Sequence, residues 1–286
     1  MLDCLTTASG SLEIPSTYND LPVTSIGNNA FESCSGLSSV TIPDSVTTIG
    51  DFAFFHCFGL ASITIPDGVT SIGIRAFDLC ASLTSVTIPD GVTLIGVFTF
   101  SRSGLTSITI PDSVTSIGLG AFYGCTSLIS ITIPDGVTSI AERTFSGCTS
   151  LTSITIPDSI TSIGNAALAY CTSLNSITFE GDAPTFETDV FTGSDSVTVY
   201  YYASKSGWSN TVAGRTAVGI DPIVFTLNGA GTEYSVSEFN QSANGSLEIP
   251  STYNGLPVTS IEDYAFSSST QIESVTIPSS ITEIPW

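Results

Sequence analysis

The sequence predicts a right-handed α/β-type solenoid with little true helix, and three observations carry that reading. First, a phrase of about 23 residues, L-T-S-I-T-I-P-D-G-V-T-S-I-G-x-x-A-F-x-x-C-x-S, recurs along the chain. Its isoleucine before proline stands at Ile42, Ile65, Ile88, Ile110, Ile133 and Ile156, with Phe179 in the same slot, so the steps are 23, 23, 22, 23, 23 and 23. Second, apolar residues within the phrase keep fixed places, so each unit buries its inner face only against its neighbours. Third, the six units with isoleucine in that slot each carry a turn signal, Pro-Asp-Gly or Pro-Asp-Ser.

Taken in chain order, L-T-S-I-T-I opens each unit as a short strand. Alternation puts Ile131 and Ile133 inward and Ser130 and Thr132 outward, and the other units follow. Proline then presets φ, and the aspartate side chain can accept from a backbone N–H two residues on, which turns the chain. V-T-S-I-G reads as a second extended piece with its Val and Ile inward. The closing A-F-x-x-C segment is too short for an independent helix; it is expected to form a helical turn or short helix with Ala and Phe inward.

Leu37, Leu60, Leu83, Leu105, Leu128, Leu151 and Leu174 open seven strands, and Phe31, Phe54, Phe77, Phe100, Phe122 and Phe145 mark the closing turns. The pattern L-x-x-I-x-I-x-x-x-V followed by A-F-x-x-C-x-x-L resembles the BspA-like leucine-rich repeats, a group known from bacterial and protozoan surface proteins. The resemblance is dense over residues 10–180. It implies a parallel β-sheet on the concave face, short helical turns or irregular structure on the convex side, and adhesion or recognition as the activity. Two departures stand out: Leu168 replaces phenylalanine, and the unit around Phe100 is one residue short, with Ser103 in place of cysteine. Both read as tolerated loop variation.

Residues 10–26 recur at 245–261 with one change, Asp20 to Gly255, an offset of 235 residues. A module therefore starts again near residue 220, and its repeated stretch is preceded by an alternating, turn-rich segment that reads as a β-hairpin cap. The expected organisation is a repeat array over 1–180 with a truncated N-terminal cap, a C-terminal cap over 181–219, and the hairpin and first repeats of a second, truncated module over 220–286. The chain thus reads as a piece of a longer tandem array. In the 181–219 stretch, Tyr200, Tyr201, Tyr202 and Trp208 are better explained as a plug on the end of the core than as a ligand patch.

Composition narrows the function. Five basic residues against 26 acidic ones give a net charge of −21, which would repel a phosphate backbone and argues against nucleic-acid binding. No run of 18 apolar residues occurs, so no membrane insertion is expected from this segment. Few charges and many Ser and Thr suit a secreted or surface-displayed chain, although the first residues lack the basic and apolar regions of a signal peptide.

Several rows could carry chemistry. Cysteines at 34, 57, 80, 125, 148 and 171 occupy one slot on successive units, a poor start for disulfides and without the C-x-x-C spacing of a metal site, so buried reduced thiols are expected. Asp44, Asp67, Asp90, Asp112, Asp135 and Asp158 form an acidic row better explained by turns than by calcium. The sole histidine, His56, sits beside Cys57, and adjacent residues rarely face each other. No nucleophile elbow, phosphate loop or dinucleotide fingerprint occurs, so neither catalysis nor a cofactor is expected. What remains for function is the S-x-T pair on the outward side of the strand: Ser39/Thr41, Ser62/Thr64, Ser85/Thr87, Ser107/Thr109, Ser130/Thr132, Ser153/Thr155 and Ser176/Thr178. That hydroxyl face is the candidate binding surface for a protein partner, with a glycan or ice as the alternative.

Overall fold

A computed structural model describes residues 8–203, 205–221, 223–239, 244–267, 271–282 and 284. The chain divides into two compact units, residues 1–201 with 205–218, and residues 202–204 with 219–286.

The first unit is a β-solenoid of stacked coils. Two parallel ladders run along it, one for each extended piece of the repeat. In the first ladder Ser9–Glu13, Gly36–Thr41 and Ser62–Thr64 pair side by side, and so do Ser153–Ile156, Ser176–Phe179 and Thr198–Tyr202. Between these stretches the ladder thins to a bridge, Thr87 to Thr109. Register is one residue to its repeat equivalent: Ser39 with Ser62, Thr41 with Thr64, Ser153 with Ser176. The second ladder is built of two-residue strands, such as Ser25–Ile26, Thr48–Ile49 and Ser71–Ile72. Between the ladders each Pro-Asp-Gly/Ser-Val segment closes a β-turn. The N–H of Val46, Val69, Val92, Val114 and Val137 donates to the carbonyl of the proline three residues back, each at 3.0 Å. Among the described residues no aspartate of this row bonds a backbone N–H; proline geometry and that single bond make the turn.

The A-F-x-x-C segment corrects the sequence reading. Among the described residues there is no helix at all. Instead the segment is a run of β-turns in which two residues per coil have positive φ, four residues apart: Asn29 and Ser33, Phe52 and His56, Arg75 and Leu79, Phe98 and Arg102. The alternation shows in the hydrogen bonds. Ala30, Glu32 and Cys34 donate back to Gly27, Asn29 and Phe31 of their own coil, whereas Asn29, Phe31 and Ser33 donate to Asp51, Ala53 and Phe55 of the next. A short helix would point its N–H groups along its own axis and leave its first four without partners, rather than bonding the next coil. Seven residues cannot sustain a helix alone, and the inter-coil bonds satisfy the same donors while stacking the coils. Each non-glycine residue held at positive φ costs about 1 kcal/mol or more.

The core is continuous. Leu, Ile, Val and Phe of successive coils are buried from Ile14 to Ala217. Its spine is a column of phenylalanines, 31, 54, 77, 100, 122 and 145, whose rings stack with centroids 5.0–5.8 Å apart and planes within 10° of parallel. Leu168 continues the column fully buried, so the slot needs apolar volume rather than a ring. Toward residue 210 the phrase gives way to aromatic packing. Trp208 stacks on Tyr201 (4.7 Å between centroids, 8° between planes), lies 5.0 Å from Phe179, and donates from Nε1 to the Gly181 carbonyl at 3.2 Å. Trp208 and Tyr201 are half-buried against the end of the core, and Tyr200 is half-buried beside them in sequence.

The second unit has its own small core, with Val236, Phe239, Val258, Ile249 and Ala265 fully or nearly fully buried. Ile223–Leu227 and Tyr234–Phe239 form an antiparallel hairpin, and the latter strand pairs in parallel with Leu256–Ile261. The 235-residue recurrence extends to backbone geometry. Thr17–Tyr18 pairs with Leu21–Pro22 as Thr252–Tyr253 pairs with the start of Leu256–Ile261. Both turns place two central residues at positive φ, Asn19 and Asp20 in one copy, Asn254 and Gly255 in the other, the signature of a type I′ hairpin.

Candidate functional site

The S-x-T row lies on the outward side of the first ladder, and its two columns run in register from coil to coil. Thr41, Ser62, Thr64, Ser85, Thr87, Ser107, Thr109, Ser130, Thr132 and Ser153 are exposed. The row closes at its ends. Ser39 is half-buried and donates to Ser11 Oγ at 2.8 Å; Thr155 and Ser176 are half-buried; Thr178, paired with Tyr200, is buried. Among the described residues the hydroxyls of Thr64, Thr87, Thr109 and Thr132 have no intramolecular partner. The middle of the face is therefore a hydroxyl surface with unused hydrogen-bonding capacity.

A second hydroxyl row, not singled out from sequence, runs along the V-T-S-I strands. Its threonines behave differently: Thr47, Thr70, Thr115 and Thr161 donate to the carbonyl of the equivalent threonine one coil earlier, at 3.2–3.5 Å. The repeat pattern held the clue, because hydroxyls occur in both strands, but only coordinates separate a hydroxyl engaged within the molecule from one that makes no internal bond to the described residues.

The cysteine column has a structural task. Cys57, Cys80, Cys125, Cys148 and Cys171 are fully buried free thiols. Each Sγ–H donates to the carbonyl of the phenylalanine one coil earlier, at 3.0–3.2 Å. The thiol thus ties adjacent coils together. Burial pushes the Cys57 and Cys125 thiols up to about 11 and Cys171 to about 12, with Cys80 and Cys148 also well raised. Such groups are neutral donors and poor nucleophiles. Cys34 departs from the expected reduced column, being disulfide-bonded to a partner outside the described residues. Ser194 was missed from sequence as a member of the column. Its Oγ donates to the Leu168 carbonyl at 2.7 Å, the same bond made by a hydroxyl. Ser103, in the short coil, lies 3.4 Å from Cys125 Sγ.

The aspartate row is exposed throughout. Beyond its end the Glu180 carboxyl is raised, chiefly by burial and then by Asp135 and Asp158. Among the described residues no three His, Cys, Asp or Glu side chains converge where a metal ion could sit. His56 stacks on Phe55 at 4.8 Å and lies against Phe58 at 4.6 Å, while the neighbouring Cys57 thiol is spent on the Phe31 carbonyl. No described helix is long and apolar enough to cross a membrane.

Comparison with known proteins agrees with this geometry. The family model described as the BspA type leucine-rich repeat region matches in six copies, over residues 8–115, 93–210 and 232–286. A leucine-rich repeat protein of Treponema pallidum is similar in structure at 35% identity and a TM-score of 0.53, covering 57% of this chain and 77% of that one. A leucine-rich repeat protein of Bacteroides ovatus shares the fold at 24% identity and a TM-score of 0.55, covering 93% of this chain and 82% of that one. A search of curated proteins finds none that matches. The matched family is a repeat scaffold rather than an enzyme family. With its period, its ladders and its phenylalanine column all in place, the chain belongs to the BspA-type leucine-rich repeat family.

Proposed function

We propose that the chain is a non-catalytic recognition and adhesion module of a secreted or surface-displayed protein, binding a protein partner through its S-x-T strand face. The observation that carries this reading is the exposed, in-register hydroxyl surface at the centre of the first ladder, where Thr64, Thr87, Thr109 and Thr132 spend no hydroxyl hydrogen bond on any described residue. Stacked coils provide an extended surface, which suits a macromolecule better than a small substrate. A low density of charge and the disulfide at Cys34 are in keeping with an oxidising, extracellular setting. In this reading residues 1–180 carry the array, 181–219 close it, and 220–286 begin a second module of the same kind.

A second reading, binding of a glycan or of ice, draws on the same ladder, because hydroxyls repeating at the strand spacing of about 4.8 Å form a regular lattice. The purified chain should be tested against immobilised extracellular-matrix and serum proteins, against neutral glycans, and for thermal hysteresis. Saturable retention of a protein, with no hysteresis, supports the first reading. Hysteresis or glycan binding without protein retention replaces it with the second.

A further inference from the structure

The turn side of the solenoid carries a feature that the strand-face reading does not use. The chain has only five basic residues, yet three of them, Arg75, Arg102 and Arg143, line one shallow groove of about 190 Å³ together with Phe98 and Tyr123. All five residues stand at variable positions of the repeat, and Phe98 and Arg102 belong to the coil that is one residue short. The variation in that coil therefore builds a surface.

The groove is held in shape. The Arg75 guanidinium lies 4.5 Å over the Phe98 ring, and Arg102 lies 5.2 Å over Tyr123. The two rings meet edge to face at 6.2 Å. Arg75 Nη1 also donates to Oδ2 of the fully buried Asp78 at 2.8 Å, which anchors it from below. Gly120 makes room for the aromatic floor: it has a φ of +59°, and a β-carbon there would stand 2.2 Å from Phe98 Cε1. Arg75, Phe98, Arg102 and Arg143 all occupy the positive-φ slots of their turns. Guanidinium groups stacked on rings lose less freedom when an anion arrives.

The charges leave one cation over. Asp78 pairs with Arg75 and also feels the Arg102 charge, and Glu142 lies 3.6 Å from Arg143, so three guanidinium groups stand against two carboxylates, and Arg102 makes no direct ion pair among the described residues. We propose that this groove is a site for a single carboxylate carried on a sugar ring. Arg102 and Arg143 would supply N–H donors that match a carboxylate, and the half-buried Phe98 and Tyr123, each with a guanidinium over one face, would border the apolar side of the sugar ring. The rest of the chain selects against larger anions. Screening over about 8 Å lets one charge see the groove alone, but a polyanion or an acidic peptide would extend across a surface of the same sign. An otherwise neutral glycan ending in one acidic sugar presents a single charge to the groove.

The probe is a matched pair of oligosaccharides, one ending in glucuronic acid and one in glucose, titrated against the whole chain at low and physiological salt. The acid-terminated probe should bind at least tenfold tighter than its neutral twin, and more weakly as salt rises. Arg102→Gln/Arg143→Gln should lose at least tenfold, and Arg102→Lys should lose less. Thermal melts of all variants establish that each is folded. Equal binding of the two probes, binding of neither, full binding by the folded double variant, or stronger competition by a glutamate-containing peptide than by free glucuronate would overturn the assignment. These outcomes are independent of whether the strand face binds a protein.

Discussion

Cys148 offers the sharpest test of how adjacent coils are joined. Its Sγ–H donates to the Phe122 carbonyl at 3.2 Å inside a site with no solvent exposure. Replacing it by alanine removes that bond, worth about 0.5–1.5 kcal/mol net, and empties the volume of one buried heavy atom, about 1 kcal/mol more. The expected loss is about 1.5–2.5 kcal/mol. Serine is a different perturbation, since a hydroxyl can make the same bond. Ser194 makes it to Leu168 at 2.7 Å in the coil that follows Cys171. Cys148→Ser should therefore cost about 1 kcal/mol or less. Urea unfolding of the two variants beside the parent measures both values. If serine proves as costly as alanine, the slot is selecting for an apolar sulfur, and the account of the thiol as an inter-coil donor is wrong.

Four further predictions rest on the buried thiols, the groove glycine and the hairpin turns. The five buried thiols should resist a water-soluble disulfide reagent at pH 8 in the native protein and react after unfolding; rapid native labelling would show that the coils open. Because burial raises the folded thiols to about 11–12, above an ordinary value near 9, the folded state keeps protons that the unfolded state has released. Stability should then hold below pH 9 and fall above it, by up to about 1.4 kcal/mol per pH unit for each such thiol, and a Cys148→Ser variant should fall less steeply in an alkaline denaturation series. Gly120→Ala should cost at least about 1–2 kcal/mol for its positive φ alone, with part of the loss recovered in Gly120→Ala/Phe98→Ala because the ring no longer obstructs the methyl group; a simple additive double variant would contradict the packing. Asp20→Gly, which copies Gly255 into the first type I′ turn, should stabilise by about 0.5 kcal/mol, and a lower melting temperature would deny that the two hairpins are equivalent.

Much of the fold is legible because the repeat states each inward residue many times over. Val46, Ile49, Phe54, Leu60 and Ile65 are all buried where the phrase puts them, and the hydroxyls between them point out by strand alternation alone. The A-F-x-x-C segment misleads for a physical reason. Its apolar spacing suits one turn of helix, but nothing in a single unit reveals that the next coil is present to take every second N–H. The Cys column is similar. Burial could be read from the residue type, whereas the bond to a phenylalanine carbonyl 25 or 26 residues away depends on stacking. The arginine groove was hidden because Arg75, Phe98, Arg102, Tyr123 and Arg143 are scattered over 69 positions, a span that four coils bring to one place. Each is a variable position of the phrase on its own, and only stacking sets them side by side.

The most direct test of the account is to change the strand face without touching the core. Thr64, Thr87 and Thr109 are exposed on neighbouring coils, and surface substitutions of this kind shift stability by only about 0.5 kcal/mol each. With a protein ligand captured by the parent chain, surface plasmon resonance of Thr64→Lys/Thr87→Lys/Thr109→Lys should show binding weakened at least tenfold at a nearly unchanged melting temperature. Undiminished binding by the folded triple variant would contradict the claim that this face is where the molecule recognises its partner.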